Sequence, residues 1–145
     1  MDLKAIPQRN NVLTAASLIA IVLLSLHFTD DIVYGTDRAL TSNVVAIAIL
    51  VVWLYGTLVL ADRRSGYAIM LLGSIGGIVV FTVHGSRAGG LPAGTIAQSS
   101  GAFFFVWTLL ALAATSVFSA ILSAQGLWKM RRSKTPMEPK AGAEH

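Results

Sequence analysis

The stretch VVAIAILVVWLYGTLVLA, residues 44–61, is followed by the polar connection DRRS, residues 62–65, and then by GYAIMLLGSIGGIVVFTV, residues 66–83. Neither apolar stretch contains Asp, Glu, Lys or Arg. Each is about as long as a helix that spans a bilayer, roughly 17 to 25 residues. So short a connection places the two helices side by side in opposite directions. This region therefore predicts an antiparallel pair of transmembrane helices.

Two further stretches of the same character lie on either side of this pair, at residues 12–28 and 102–124. Over the chain of 145 residues, 54% are hydrophobic and only 12% are charged, against about 25% charged residues in soluble domains. The sequence predicts an all-α membrane protein, a four-transmembrane-helix antiparallel bundle over residues 1–128. Residues 129–145 are expected to form a basic juxtamembrane segment and a disordered tail.

The basic residues predict the orientation of this bundle, because Lys and Arg near the ends of spans are retained on the cytoplasmic side. Lys4 and Arg9 precede the first span, and Arg63 and Arg64 lie between the second and the third. The fourth span is followed by a basic cluster of Lys129, Arg131, Arg132 and Lys134. We therefore expect both termini in the cytoplasm and the chain in the inner (plasma) membrane, with the basic cluster in contact with lipid headgroups.

Small residues recur at helical spacing in three of the spans. Close packing of small residues is a main attraction between helices in lipid, so they predict packing faces. Such faces serve contacts within the bundle, in a homo-oligomer or in a larger membrane complex. The residues are Ala16 and Ala20 in the first span, Gly73 and Gly77 in the third, and Ala111, Thr115, Ser119 and Ser123 in the fourth.

Trp53 is expected to pack against another helix, because it lies near the middle of the second span rather than at a headgroup boundary. Its indole N–H then requires a hydrogen-bond partner.

A polar group at the outer end of the first span is the sequence's candidate site. His27, Asp30, Asp31 and Tyr34 share one face if the helix continues to Gly35. Carboxylates at a helix C-terminus oppose the helix dipole, so the two aspartates require a cation, a partner or water.

His84 and Arg87, near the end of the third span, are predicted to lie on the same side of the membrane. Imidazole and carboxylate groups ligate metals, so His27, Asp31 and His84 form a candidate site for a divalent metal ion. The two histidines are also a candidate haem pair, although haem usually lies deeper in a bundle. The alternatives are a hydrated interfacial cluster, in which Asp30 or Asp31 pairs with Arg87 or Arg38, and a contact with a substrate or partner.

Several functional classes are disfavoured by composition. The chain has no cysteine, which excludes disulfides and thiolate chemistry. No Asp, Glu, Lys or Arg lies within a span, which argues against ion-coupled transport. The positive charge is too thinly spread for nucleic-acid binding. The sequence favours a non-enzymatic accessory or structural component that associates with other membrane proteins through helix packing. The alternative function is an outer-face His/Asp site that binds a metal ion or haem, or responds to pH.

Overall fold

The computed structural model describes residues 10–33, 40–87 and 100–132 of the chain. These residues form four helices, and the prediction of an all-helical chain is confirmed for them. The helices are α1 (Asn11–Val33), α2 (Leu40–Leu58), α3 (Arg64–Arg87) and α4 (Ser100–Arg132).

Three helices contain segments that are long and apolar enough to cross a membrane, namely Asn11–Thr29 in α1, Arg64–Val83 in α3 and Phe103–Arg132 in α4. The fourth apolar segment, Asn43–Leu58 in α2, is shorter. The structure therefore supports a membrane protein: the sequence predicts four spans, and over the described residues three of the four helices are long and apolar enough to be spans.

The end of α2 differs from the end that the sequence predicts. The sequence predicts a span that continues to Ala61, but α2 ends at Leu58 and residues 59–63 form the turn into α3. The N–H of Arg63 donates to the carbonyl oxygen of Leu60 at 2.9 Å, which reverses the chain. A Cβ added to Gly66 would overlap that same carbonyl group. The turn is therefore too tight for any larger residue at position 66.

The start of α1 is capped by the residue before it. The side-chain oxygen of Asn10 accepts a hydrogen bond from the N–H of Leu13 at 3.1 Å, which satisfies one of the amides that a helix leaves free at its first turn. This cap places the helix start at Asn11, close to the predicted start of the first span.

The helices surround a shared core in which α4 makes the most extensive contacts, first with α3 and then with α1. α2 packs on α3 and α1 and, within the described residues, does not contact α4. The buried core comprises Leu13, Ala20, Ile21, Leu24, Trp53, Tyr67, Met70 and Leu112. Large apolar side chains also cover the outside of every helix, as expected where the surroundings are hydrocarbon rather than water.

Candidate functional site

Trp53 lies at the centre of a hydrogen-bonded cluster that joins α2 to α1. Its indole N–H donates to Ser17 Oγ at 2.8 Å, and Ser17 Oγ lies 2.8 Å from Thr57 Oγ1. Thr57 Oγ1 donates to the backbone carbonyl oxygen of Trp53 at 2.9 Å. Because each hydroxyl has a single proton, Ser17 is the donor to Thr57. The cluster supplies the partner that the buried indole was predicted to need.

The ring of Trp53 also lies directly against α3. A Cβ added to Gly73 would overlap the ring atoms of Trp53, and a Cβ added to Gly56 of α2 would overlap the side chain of Ile69. Glycine on each helix thus allows the backbones of α2 and α3 to approach closely. Trp53, only 1% exposed, therefore connects three helices: it bonds to α1 and packs from α2 onto α3.

An apolar groove of about 400 Å³ runs between α2 and α3 beside this contact. Gly76 lies at its open side, where a Cβ would meet no atom within 4 Å. The lining includes Leu24 from α1, Val45, Ala48 and Trp53 from α2, and Gly73 and Gly76 from α3. With no charged residue in its lining, the groove suits a hydrocarbon surface rather than an ion.

The small residues singled out from the sequence occupy several interfaces. Ala16 and Ala20 are buried in α1. Gly73 lies under Trp53 of α2, whereas a Cβ on Gly77 would overlap Ser116 of α4. The two glycines, which form one stripe in the sequence, thus serve contacts with different helices. In α4, Ser119 and Ser123 are fully buried, and Ala111 and Thr115 are half-buried.

Three serines of α4 form a second set of buried hydroxyls, here called the serine row: Ser116, Ser119 and Ser123. All three are fully buried, and their hydroxyls have no hydrogen-bond partner among the described residues. Several other buried or half-buried hydroxyls donate to the backbone carbonyl one turn earlier in their own helix, as Ser74 does to Met70 at 2.7 Å. The serine row therefore differs from the Trp53 cluster in its hydrogen bonding.

His27 lies in the interior of the bundle. Its side chain is 0% exposed, and its ring centroid is 5.1 Å from that of Phe105 in α4 and 6.4 Å from that of Phe28. The hydrated interfacial environment considered from the sequence does not describe this residue.

The side chains of Asp30, Asp31, Tyr34, His84 and Arg87 lie outside the described part of the structure. Over the described residues, no group of three or more His, Cys, Asp or Glu side chains comes together. The metal and haem sites stay predictions.

The basic end of the bundle carries a second groove, of about 940 Å³, between the start of α3 and the end of α4. Arg64, Arg131 and Arg132 line it, but Lys129 does not. Lys129 instead lines a separate pocket with Asn11 at the start of α1. Lys134, the last member of the predicted basic cluster, lies outside the described residues.

Sequence reasoning did not single out Ser17, Gly76 or the groove position of Arg64. Ser17 lies 36 residues from its partner Trp53, and no periodic pattern marks it as that partner. Gly76 and Arg64 gain significance only from the helices that pack beside them.

Comparison of the chain with protein-family models, with curated proteins and with solved structures found no match. Of the surfaces described above, the groove between α2 and α3 combines small residues, an apolar lining and a fixed floor.

Proposed function

We propose that this protein is a small multi-pass membrane component with an accessory or structural role, and that it docks a transmembrane helix of another membrane protein in the groove between α2 and α3. The observation that carries the proposal is the groove itself, with Ala48, Gly73 and Gly76 among its lining residues. In lipid, small residues of this kind allow a second helix backbone to approach and gain van der Waals contact.

The position of α2 in the bundle supports this proposal. α2 packs against α1 and α3 only, within the described residues. Many of its large apolar side chains are exposed, including Val45 and Val52 beside the groove. A helix covered on so few sides leaves apolar area that a further helix can bury.

The floor of the groove is held in place before any partner binds. The indole of Trp53 is fixed by its hydrogen bond to Ser17 and by its contact with Gly73. Because these groups are already ordered, a docking helix loses less free energy to side-chain ordering.

The same proposal includes an antiparallel bundle that lies in the inner membrane, with both termini in the cytoplasm. A pocket lined by Asn11, Tyr67 and Lys129 supports it, because it brings the start of α1, the start of α3 and the end of α4 together. Arg63 and Arg64 adjoin the start of α3, and Lys129, Arg131 and Arg132 occupy the last turn of α4. Basic residues gathered at one end favour the cytoplasmic side for that end.

The test fills the groove without disturbing the fold. Leu in place of Gly76 has open space around its Cβ but obstructs a docking helix. The matched control is Ala114→Leu, at an exposed position of α4. Each variant is extracted in mild detergent, and the mass of its complex is measured by light scattering during gel filtration. We expect the native chain and Ala114→Leu to retain a partner, and Gly76→Leu to be monomeric with unchanged thermal stability.

Two results would contradict the proposal: a native chain that is monomeric after mild extraction, or a Gly76→Leu variant that keeps its partner. Self-association is checked separately. The chain lacks cysteine, so an Ala48→Cys variant carries a single thiol beside the groove. Efficient disulfide linkage between two differently tagged copies would assign the groove to a second copy of this chain instead.

A further inference from the structure

We infer that the groove between the start of α3 and the end of α4 is a specific binding site for an anionic phospholipid. This surface is separate from the α2–α3 groove, and the inference does not depend on the docking proposed there. A diffuse attraction of basic residues to the membrane surface would hold no particular lipid, whereas this site holds one lipid at a defined place.

Within the described part of the chain, every charged residue that lines the groove is an arginine. Arg64 comes from the first turn of α3, whereas Arg131 and Arg132 come from the last turn of α4. No acidic residue belongs to this lining. Guanidinium groups form paired hydrogen bonds with phosphate oxygens, so arginines from two helices suit a phosphodiester placed between them.

The N-terminus of α3 adds to this positive field. The helix begins at Arg64 and is 24 residues long, so the positive end of its dipole lies at the groove. This feature alone would not define a site. Together with arginines on the facing helix, it increases the attraction for an anion at one place.

Apart from the arginines and Ser65, the lining of the groove is apolar, which distinguishes a lipid from a free anion. This apolar lining comprises Ala68 and Leu71 of α3 and Ala124 and Leu127 of α4, beside Trp128. Small and aliphatic side chains of this kind suit an acyl chain that descends from the headgroup. A free phosphate ion would leave that wall uncovered.

Trp128 marks the depth of the headgroup. It is 60% exposed and lines the groove, and the guanidinium carbon of Arg132 lies 4.8 Å from its ring centroid. Tryptophan concentrates at the boundary between hydrocarbon and headgroups. The cation–π contact also holds Arg132 at the groove mouth before a lipid binds.

The experiment compares two double variants with the same change in net charge. Arg64→Gln with Arg131→Gln removes two arginines that line the groove, and Arg63→Gln with Lys129→Gln removes two exposed basic neighbours that do not. Purified full-length protein in detergent micelles is titrated with phosphatidylglycerol, and bound lipid is counted by native mass spectrometry. We expect affinity to fall by about 20- to 30-fold in the groove variant and by less than about threefold in the control.

Three further arms decide the identity of the ligand. Phosphatidylcholine with the same acyl chains should bind more weakly than phosphatidylglycerol. Ala124→Phe adds a bulky side chain to the apolar wall, which narrows the groove but keeps every arginine. This variant should lose the bound lipid. Inorganic phosphate at equal concentration should not displace it.

The inference is overturned if the two double variants lose affinity equally, because binding would then follow net charge alone. Displacement by inorganic phosphate, or retention of lipid by Ala124→Phe, would also overturn it. Gel-filtration profiles identical to that of the native chain confirm that each variant is folded.

Discussion

Ser17 and Thr57 in the Trp53 cluster differ from the serine row of α4 in how a buried hydroxyl contributes to a membrane bundle. The first pair is joined to Trp53 by hydrogen bonds across two helices. The serine row has no such bonds among the described residues, yet its first member, Ser116, packs on Gly77 in the most extensive helix contact, between α3 and α4. The hydroxyls of Ser17 and Thr57 act through hydrogen bonding, whereas Ser116 of the serine row acts through small size.

The contact between Ser116 and Gly77 shows this second role. A Cβ on Gly77 would overlap the Ser116 hydroxyl, so both residues must remain small for α3 and α4 to approach. Polar contacts between helices in lipid contribute on average only about 0.6 kcal/mol. Removing one partner costs more, about 1–3 kcal/mol, because a buried donor or acceptor is then left unsatisfied. The two regions should therefore respond differently to the loss of a hydroxyl.

The largest effect is expected from Trp53→Ala, which removes the side chain that connects α1, α2 and α3. Truncation of a buried Trp costs about 3–5 kcal/mol, so we expect the free energy of unfolding in detergent to fall by that amount. The matched control is Trp107→Ala, because Trp107 is 56% exposed on α4. Equal losses in the two variants would show that Trp53 does not hold the three helices together.

An intermediate effect is expected from Ser17→Ala, which leaves the indole N–H of Trp53 without its acceptor. We expect a loss of about 1–3 kcal/mol in the same unfolding assay. Ser25→Ala is the control, since the hydroxyl of Ser25 donates within its own helix to the carbonyl oxygen of Ile21; its loss should be smaller.

A double-mutant cycle of Ser17→Ala with Trp53→Phe tests the bond itself. If the two residues interact as described, the double variant should lose less stability than the sum of the single variants. Strict additivity would contradict the hydrogen bond.

The smallest effect is expected from Ser119→Ala in the serine row. Because its hydroxyl lacks a partner among the described residues, its removal should leave stability unchanged or raise it by up to about 1 kcal/mol. Ser74→Ala is the comparison, since that hydroxyl donates to Met70 and its loss should destabilise. A loss in Ser119→Ala as large as that in Ser17→Ala would show that the serine row also acts through hydrogen bonds.

The helices themselves were predictable from sequence because bilayer-length apolar stretches joined by a short polar connection leave few alternatives. The need of Trp53 for a partner also followed from chemistry. The identity of that partner did not, because Ser17 reaches it only once α1 has packed against α2. The same holds for the α2–α3 groove, which arises from the relative positions of two helices.

His27 shows why the candidate site was harder to predict than the fold. Its place at the end of an apolar stretch suggested a headgroup environment. In the structure α1 continues to Val33, and Phe105 of α4 covers the imidazole. The helix and its packing continue beyond the end of the apolar stretch. The environment of a residue at that boundary therefore depends on its tertiary neighbours.

The length of α2 has a consequence for the surrounding bilayer. The helix runs from Leu40 to Leu58, 19 residues, and measures about 28 Å at 1.5 Å per residue, close to the average hydrocarbon thickness of about 30 Å. A membrane built from longer acyl chains would be thicker than this helix is long, and such hydrophobic mismatch costs a fraction of a kcal/mol per Å. Covering α2 with protein would relieve that elastic penalty.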